Sequence, residues 1–323
     1  MKKTSDDILI KAEGLYKSFD LQSGFFAKKD KLVYAVNNVS FDIKKGETYG
    51  IVGESGCGKT TTARLLIRMY DLNSGKIYFY NEDGTVCDIS SFKKQEIKSY
   101  QEKVKYVFQD PAKSLNPRMN VFSVMTDGLK YSSHKYSKQE IQELAEKAIV
   151  DVGLSKDDLQ KRPAEFSGGQ RQRISIARGL LLNPSLLICD EVVSALDVSI
   201  QAQVLKLLSE LREKRNLSML FITHDLRVAC YFCDRIGVMY RGVLVEEADA
   251  ATLYKSALHP YTKLLFEAAM MFKINSSVEV KTMLEKENAC PFAHRCPKAE
   301  KRCFEECPEL TERENGHKVR CWF

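Results

Sequence analysis

Residues 53 to 60 read Gly53-Glu54-Ser55-Gly56-Cys57-Gly58-Lys59-Thr60, a complete G-x-x-x-x-G-K-[ST] loop. Glycines at these positions let backbone N–H groups curl around a phosphate, where a Cβ atom would collide. Lys59 then supplies a positive charge for phosphate oxygens, and the Thr60 hydroxyl can ligate Mg²⁺. The loop follows an apolar strand pattern at 47–52 and precedes a helical pattern at 60–69. This context predicts a nucleotide site in which a helix N-terminus faces the phosphates.

The bulk composition is that of an ordinary globular chain. Its 323 residues suffice for roughly two domains, and 44% are hydrophobic and 28% charged. No apolar run approaches the ~18 residues of a membrane span. The first residues lack the apolar segment of a signal peptide, so we expect a protein that is cytosolic or held against the cytosolic side of a membrane by a partner. The net charge of +6 is compatible with an anionic ligand or membrane surface, but plain solubility is the simpler interpretation.

Apolar strand patterns alternate with helical patterns along most of the chain. We expect strands at 8–17, 35–43, 47–52, 76–80, 104–108, 186–189, 219–223 and 235–239, and helices at 138–152, 171–182 and 199–215. This alternation predicts an α/β fold with a mostly parallel sheet that is covered on both faces. The Gly/Lys/Phe-rich stretch 21–31 is expected to be a surface loop, and the polar stretch 274–289 a linker.

Two further motifs predict phosphate chemistry. The strand pattern at 186–189 ends in Asp190 and Glu191, and buried strands of α/β sheets deliver polar residues at their carboxyl ends. Asp190 is expected to hold Mg²⁺ directly or through water, and Glu191 to orient or deprotonate an attacking water. The stretch Ser167-Gly168-Gly169-Gln170 precedes a helix with Ser167 as its N-cap, which predicts a second anion-binding helix end.

The stretch 167–173, Ser-Gly-Gly-Gln-Arg-Gln-Arg, resembles the signature of ATP-binding cassette (ABC) ATPases, and the other family motifs follow the family's order. The resemblance implies that two cassettes pack head to tail, so that each ATP lies between one phosphate-binding loop and the other subunit's signature. It implies an adenine contact from Phe19 and phosphate contacts from Gly53, Ser55, Gly56, Cys57, Gly58, Lys59, Thr60 and Thr61. The signature residues that would face the partner's ATP are Ser167, Gly168, Gly169 and Gln170.

The resemblance also implies catalytic and magnesium-binding roles. The implied catalytic residues are Glu191, the switch histidine His224, Gln109 and Lys59, and the implied Mg²⁺ ligands are Thr60, Gln109 and Asp190. Val192 stands where the family usually has proline, and Ala164 stands where histidine is common. Neither departure removes a catalytic group, so hydrolysis is expected, although Val192 leaves the loop after Glu191 less constrained.

Other stretches, 107–111, 114–118, 194–203 and 258–263, resemble the oligopeptide/dipeptide importer branch, and 24–26 and 193–197 are similar to its F-type ATPase subunit. The implied function is an ATP-hydrolysing translocase subunit of a peptide importer, peripheral on the cytoplasmic face of the cell membrane. The implied partners are a D-type ATPase, two permease subunits and an extracytoplasmic peptide-binding protein, and no nucleic acid. Two alternatives remain: an importer of nickel or another small solute, and a soluble non-transport ABC ATPase, which the lack of a heptad run disfavours.

Cysteines cluster near the C-terminus, where five of the ten lie between Cys290 and Cys321. In a reducing compartment this clustering indicates ligation of a metal or cluster more than disulfides. Four thiolates could hold Zn²⁺, with His294 or His317 as substitute ligands, or stay unligated. The family resemblance implies a [4Fe–4S] cluster on Cys290, Cys296, Cys303 and Cys321, and leaves Cys307 out.

The expected architecture is a P-loop NTPase core of the ABC type with an antiparallel β subdomain, a helical subdomain at about 110–180 and a Cys-rich C-terminal extension. We expect a nucleotide-binding domain at 1–247, a helical extension and linker at 248–289, and a cluster-binding tail at 290–323.

Overall fold

The computed structural model describes residues 7–20, 32–270 and 289–323, except for the side chain of Met270. The strands are β1 (Ile8–Asp20), β2 (Leu32–Lys44), β3 (Thr48–Val52), β4 (Ser74–Tyr80), β5 (Val86–Asp88), β6 (Val104–Val107), β7 (Leu186–Asp190), β8 (Ser218–Thr223), β9 (Arg235–Tyr240), β10 (Val243–Asp249), β11 (Thr311–Glu314) and β12 (His317–Val319). The predicted surface loop at 21–31 and the predicted linker, apart from its last residue, lie outside the described residues.

The helices of the described ranges are α1 (Lys59–Leu66), α2 (Lys94–Lys103), α3 (Pro111–Ser114), α4 (Val121–Thr126), α5 (Lys138–Asp151), α6 (Gly168–Leu180), α7 (Val198–Arg215), α8 (Leu226–Phe232), α9 (Ala250–Ser256) and α10 (Pro260–Met270). Helices α3 to α6 occupy the range in which the sequence predicts a helical subdomain. Across the described part of the chain, no helix has both the length and the apolar character that a membrane crossing requires.

Within the described ranges the strands form two sheets. The smaller sheet is antiparallel, in the order β2-β1-β4-β5. The main sheet has the order β11-β12-β10-β9-β3-β8-β7-β6; its strands from β9 to β6 are parallel, and β10, β12 and β11 are antiparallel. The structure therefore contains both the parallel sheet and the antiparallel β subdomain that the sequence predicts.

The central strands of the main sheet are buried on both faces. In β7, Leu187 and Cys189 belong to one hydrophobic core, while Leu186 and Ile188 belong to the core on the opposite face. Successive side chains of a strand point to opposite faces, so a strand between two cores needs an apolar residue at every position. This is why such strands appear in the sequence as continuous apolar runs.

Helix α5 shows how local chemistry sets an element boundary. The Ser137 hydroxyl accepts a hydrogen bond from the Glu140 backbone N–H at 3.2 Å, and the Glu140 carboxylate accepts one from the Ser137 N–H at 2.7 Å. This reciprocal capping box starts the helix at Lys138. Its buried face, Ala145, Ala148 and Ile149, packs in the core that it shares with α6. The sequence prediction of a helix at 138–152 is one residue longer.

The Cys-rich segment extends the main sheet. Strand β12 pairs with β10, with Val319 opposite Glu246 and Lys318 opposite Glu247. His317 Nε2 lies 2.7 Å from a carboxylate oxygen of Glu246, and Lys318 Nζ donates to Glu247 at 2.9 Å. The predicted boundary after residue 247 falls inside β10, because this strand continues to Asp249.

Candidate nucleotide-binding site

The loop 53–58 joins β3 to α1, as the strand–loop–helix pattern predicts. Gly58 adopts φ 108°, and a Cβ atom there would lie 2.0 Å from the carbonyl oxygen of Ala35. Only glycine combines this conformation with such a close backbone approach. Lys59 Nζ donates hydrogen bonds to the carbonyl oxygens of Gly53 at 2.7 Å and Glu54 at 3.0 Å. The lysine is thus held within its own loop.

Thr60, the second residue of α1, is in contact with Asp190, the last residue of β7. The Thr60 hydroxyl donates to Asp190 Oδ1 at 3.1 Å, and the Tyr106 hydroxyl donates to the other carboxylate oxygen. Burial raises the pKa of Asp190 above its ordinary value, and the hydrogen bonds from Tyr106 and Thr60 offset only part of this rise. A hydroxyl and a carboxylate in contact are the oxygen ligands that Mg²⁺ prefers, so these residues fit the predicted metal.

Glu191 is the centre of the catalytic group that the resemblance implies. Its backbone is in the left-handed region, with φ 50°, an uncommon conformation for a residue other than glycine. Gln109 Nε2 donates to Glu191 Oε2 at 2.7 Å, and His224 Nδ1 lies 3.7 Å from Glu191 Oε1. Its carboxylate is therefore placed between an amide and an imidazole. Strained backbone is characteristic of functional sites, where the surrounding structure holds it in place.

Sheet topology explains why these residues meet. Strands β3, β8, β7 and β6 are adjacent and parallel, so their carboxyl ends lie at one edge of the main sheet. The loop follows β3, His224 follows β8, Glu191 follows β7, and Gln109 lies just beyond β6. We call this group the catalytic edge; its members are Lys59, Thr60, Gln109, Asp190, Glu191 and His224. All six are candidate site residues in the sequence.

The signature residues begin helix α6. Ser167 Oγ accepts from the Gln170 N–H at 3.3 Å, and Gln170 Oε1 accepts from the Ser167 N–H at 2.9 Å. A Cβ atom on Gly169 would approach the Ile200 side chain to 2.5 Å, so α6 packs closely against α7 at this point. Asp197 caps α7 by accepting from the Ile200 N–H at 3.0 Å. Contact between Ser167–Gln170 and a partner's ATP stays a prediction.

Comparisons with known proteins agree with this geometry. Residues 36–194 match the ABC transporter family profile, and residues 245–303 match the profile described as oligopeptide/dipeptide transporter, C-terminal region. The oligopeptide transport ATP-binding protein AppF of Bacillus subtilis is 42% identical over 99% of this chain and 99% of the relative. The oligopeptide transport ATP-binding protein OppF of Haemophilus influenzae is 39% identical over 98% of this chain and 97% of the relative.

The chain belongs to the ABC transporter ATP-binding proteins. Among solved structures, a dimeric ATP-binding cassette in a post-hydrolysis state with ADP and phosphate, MJ0796, has a TM-score of 0.64 and 25% identity over 75% of this chain and 99% of that chain. The cbiO1 subunit of an ABC transporter complex from Clostridium perfringens has a TM-score of 0.65 and 25% identity over 77% of this chain and 92% of that chain. The predicted family and ABC core are confirmed, and the chain is an ATPase coupled to transport.

The remaining ATP contacts that the resemblance implies are partly exposed in this ABC ATPase. Ser55 and Gly56 are exposed, Thr61 is half-buried and Cys57 is buried, which raises the pKa of its thiol. Phe19 lies near the end of β1, with its ring edge-on to Tyr70 at 5.5 Å between centroids. Stacking of Phe19 on adenine stays a prediction.

A cavity of about 770 Å³ extends from the catalytic edge into the helical subdomain of the ABC ATPase. It begins at Thr60 and Asp190, passes Gln109 and reaches Leu129 and Arg178. The Gln109 side chain in its wall donates a hydrogen bond to Glu191.

Sequence reasoning missed three residues that touch the site. Tyr106, which donates a hydrogen bond to Asp190, lies inside a predicted strand. Successive strand residues point to opposite faces, so the strand pattern could have shown that Tyr106 and Val107 face opposite sides of the sheet. The Tyr261 hydroxyl accepts from the Glu54 N–H at 2.9 Å, and Arg295 forms an ion pair with the Glu54 carboxylate at 3.0 Å. Both come from the C-terminal part of the chain, and no local pattern connects them to the loop.

The predicted cluster ligands are gathered but not arranged as a metal centre. Cys290, Cys296, Cys303 and Cys321 line one cavity of about 20 Å³. Cys290 is also in contact with Cys307, which the sequence analysis leaves out: their hydrogen bond lowers the pKa of Cys307 to about 7 and, together with burial, raises that of Cys290. Among the residues that the structure describes, no group of three or more His, Cys, Asp and Glu side chains is placed to hold a metal ion.

Proposed function

We propose that this ABC ATPase powers the import of oligopeptides or dipeptides through a membrane permease. The support for peptide as cargo is the match of residues 245–303 to the C-terminal region of oligopeptide/dipeptide transporters, together with full-length relatives that carry oligopeptide transport in their names. The subunit itself contacts ATP rather than cargo, so nickel or another small solute is the competing cargo. The convergence of the six residues of the catalytic edge carries the ATPase part of the proposal.

In this proposal each residue of the catalytic edge has one task. Lys59 and the loop N–H groups bind the β- and γ-phosphates, and Thr60 and Asp190, with Gln109, hold Mg²⁺. Bound Mg²⁺ would neutralise charge on the phosphate oxygens.

Hydrolysis itself uses the carboxylate and the imidazole. Glu191 accepts a proton from the water that attacks the γ-phosphorus, while the bond from that phosphorus to the bridging oxygen breaks. His224 contacts the γ-phosphate and, from 3.7 Å, the same carboxylate. The Gln109 hydrogen bond orients that carboxylate toward the water.

The proposal includes the remaining subunits of an importer. A D-type ATPase supplies the second cassette, whose ATP is met by Ser167–Gln170, and two permease subunits and an extracytoplasmic peptide-binding protein complete the complex. The cavity beside Gln109 is the site at which a cytoplasmic helix of the permease docks, because its far wall is the helical subdomain. The protein is accordingly peripheral on the cytoplasmic face of the cell membrane.

For the C-terminal segment we retain the predicted [4Fe–4S] cluster on Cys290, Cys296, Cys303 and Cys321. The support is that the four thiols line one cavity and are a donor set that suits iron–sulfur or zinc; the cavity of about 20 Å³ would have to widen to admit a cluster. A ligand on all four would cross-link the segment and stabilise it. Iron and sulfide analysis of anaerobically purified protein, with its visible absorption, tests this; stoichiometric zinc without iron would contradict it.

Uptake assays test the transport function. In the host strain, replacing the chain by its Lys59→Ala variant should abolish uptake of labelled oligopeptides, because the variant loses the charge that binds the phosphates. Uptake of nickel by the same cells is the matched control. Loss of nickel uptake with unchanged peptide uptake would overturn the peptide assignment.

A further inference from the structure

Glu54, the second residue of the phosphate-binding loop, has its carboxylate and its backbone N–H hydrogen-bonded by residues from the C-terminal part of the chain. Both carboxylate oxygens of Glu54 accept hydrogen bonds from the Arg295 guanidinium, each at 3.0 Å. The Glu54 backbone N–H donates to the Tyr261 hydroxyl at 2.9 Å. Tyr261 lies in α10, and Arg295 lies two residues after Ala293, which lines the cysteine cavity. In the sequence, the two residues are 207 and 241 positions away from Glu54.

A rigid aromatic platform carries these two contacts. Tyr240, Tyr261 and Phe292 pack with ring centroids 4.5 to 5.4 Å apart, and each is at most 3% exposed. The Arg295 guanidinium lies 5.8 Å from the Tyr240 ring centroid and 5.9 Å from that of Phe292. The platform therefore fixes the direction in which Arg295 extends toward Glu54.

The ion pair between Arg295 and Glu54 contributes little to the stability of the fold. The side chains of Arg295 and Glu54 are 40% and 44% exposed, and pairs of this exposure contribute little to folding. The bidentate geometry does restrict orientation, because each of two guanidinium nitrogens donates to a different carboxylate oxygen. The carbonyl oxygen of the same Glu54 accepts from Lys59. The Arg295 contact thus acts on a residue that itself accepts a hydrogen bond from Lys59.

We infer that Arg295 is a positioning residue for the phosphate-binding loop, so that the Cys-rich segment sets the affinity of the loop for a nucleoside triphosphate. This inference rests on the proposed nucleotide site. Arg295 acts in two ways: it fixes Glu54 and with it the start of the loop, and it neutralises a carboxylate that would otherwise repel the triphosphate. The C-terminal segment then contributes to nucleotide binding through the contact between Arg295 and Glu54.

The test measures binding of a fluorescent, non-hydrolysable ATP analogue to the full-length chain. Arg295→Ala should raise the Kd about 3- to 10-fold, with no change in the thermal midpoint beyond that of the control. The matched control is Arg302→Ala, an arginine of the same segment that lies over Trp322 at 5.3 Å and pairs with Glu300 at 3.4 Å. Arg302→Ala should bind the analogue as the wild type does.

A second variant separates positioning from general damage to the segment. In a Glu54→Ala background, Arg295→Ala should change the Kd less than about 2-fold, because Arg295 acts through Glu54. An unchanged Kd for Arg295→Ala alone, or an equal loss in both backgrounds, would overturn the inference. Lys59→Ala serves as the reference: if it binds the analogue as the wild type does, the proposed nucleotide site is wrong as well.

Discussion

The catalytic edge and the Cys-rich segment are assembled in different ways. Gln109, Glu191 and His224 each lie within two residues of the end of a buried parallel strand, so the sheet register sets their relative positions. Of the cysteines in this segment, Cys303 lies in a single-turn helix and the others lie in irregular backbone. Their placement depends on Phe292 packing against Tyr240 and on β12 pairing with β10. The first site is thus set by backbone topology, and the second by tertiary packing.

This difference has a consequence for mutations. At the catalytic edge a side chain can be exchanged without moving its neighbours, because hydrogen bonds between strands hold the backbone. In the C-terminal segment, changes in packing or in a buried charge are expected to move the whole segment. Variants at the two kinds of site should therefore differ in how far their effects spread.

Glu191→Gln should remove hydrolysis while leaving nucleotide binding in place. The amide keeps the shape of the carboxylate but cannot accept a proton, so phosphate release should fall about 10²- to 10⁴-fold. In the presence of the partner ATPase and ATP, the variant should accumulate as a closed dimer on size-exclusion chromatography. The control is Glu210→Gln, an exposed glutamate on α7. Unchanged hydrolysis by Glu191→Gln would mean that another group is the base.

Gly58→Ala tests whether backbone crowding fixes the loop. The new Cβ would lie 2.0 Å from the Ala35 carbonyl oxygen at a residue with φ 108°, so the free energy of unfolding should fall by about 4 kcal/mol, measured in urea. Gly56→Ala is the matched control: its φ is 80° but no heavy atom lies within 4 Å of the added Cβ, so about 1 kcal/mol is expected. Equal losses would contradict a role for the Ala35 contact.

The same contrast explains what the sequence could predict. Asp190 and Glu191 come at the end of a continuous apolar run, and parallel strands bring such ends to one edge, so these two residues could be predicted from the pattern. Gln109 and His224 were named only through the family resemblance. Strands β11 and β12 were missed because four and three mostly polar residues give no alternating pattern, and they exist only by pairing with β10. Arg295 was missed because its partner is 241 positions away. Contacts that depend on tertiary packing leave no local signal.

His259 offers the smallest and most specific test of the tertiary side of the comparison. It is 2% exposed, its Nδ1 accepts from the Tyr261 N–H at 3.1 Å, and its backbone N–H donates to Glu246, which also contacts His317. Burial, helped by the positive charge of Arg320, lowers the pKa of His259 from 6.5 to about 4. The imidazole is therefore neutral in the folded protein over a range in which the unfolded chain takes up a proton.

Acid should accordingly lower the free energy of unfolding through His259. As the pH falls below 6.5 toward 4, the unfolded state binds a proton that the folded state does not, so stability falls by about 1.4 kcal/mol per pH unit from this residue. His259→Asn keeps an acceptor for the Tyr261 N–H but does not titrate, so urea unfolding of this variant should depend less on pH by that amount. Parallel pH profiles for the two proteins would contradict a lowered pKa of His259 in the folded protein.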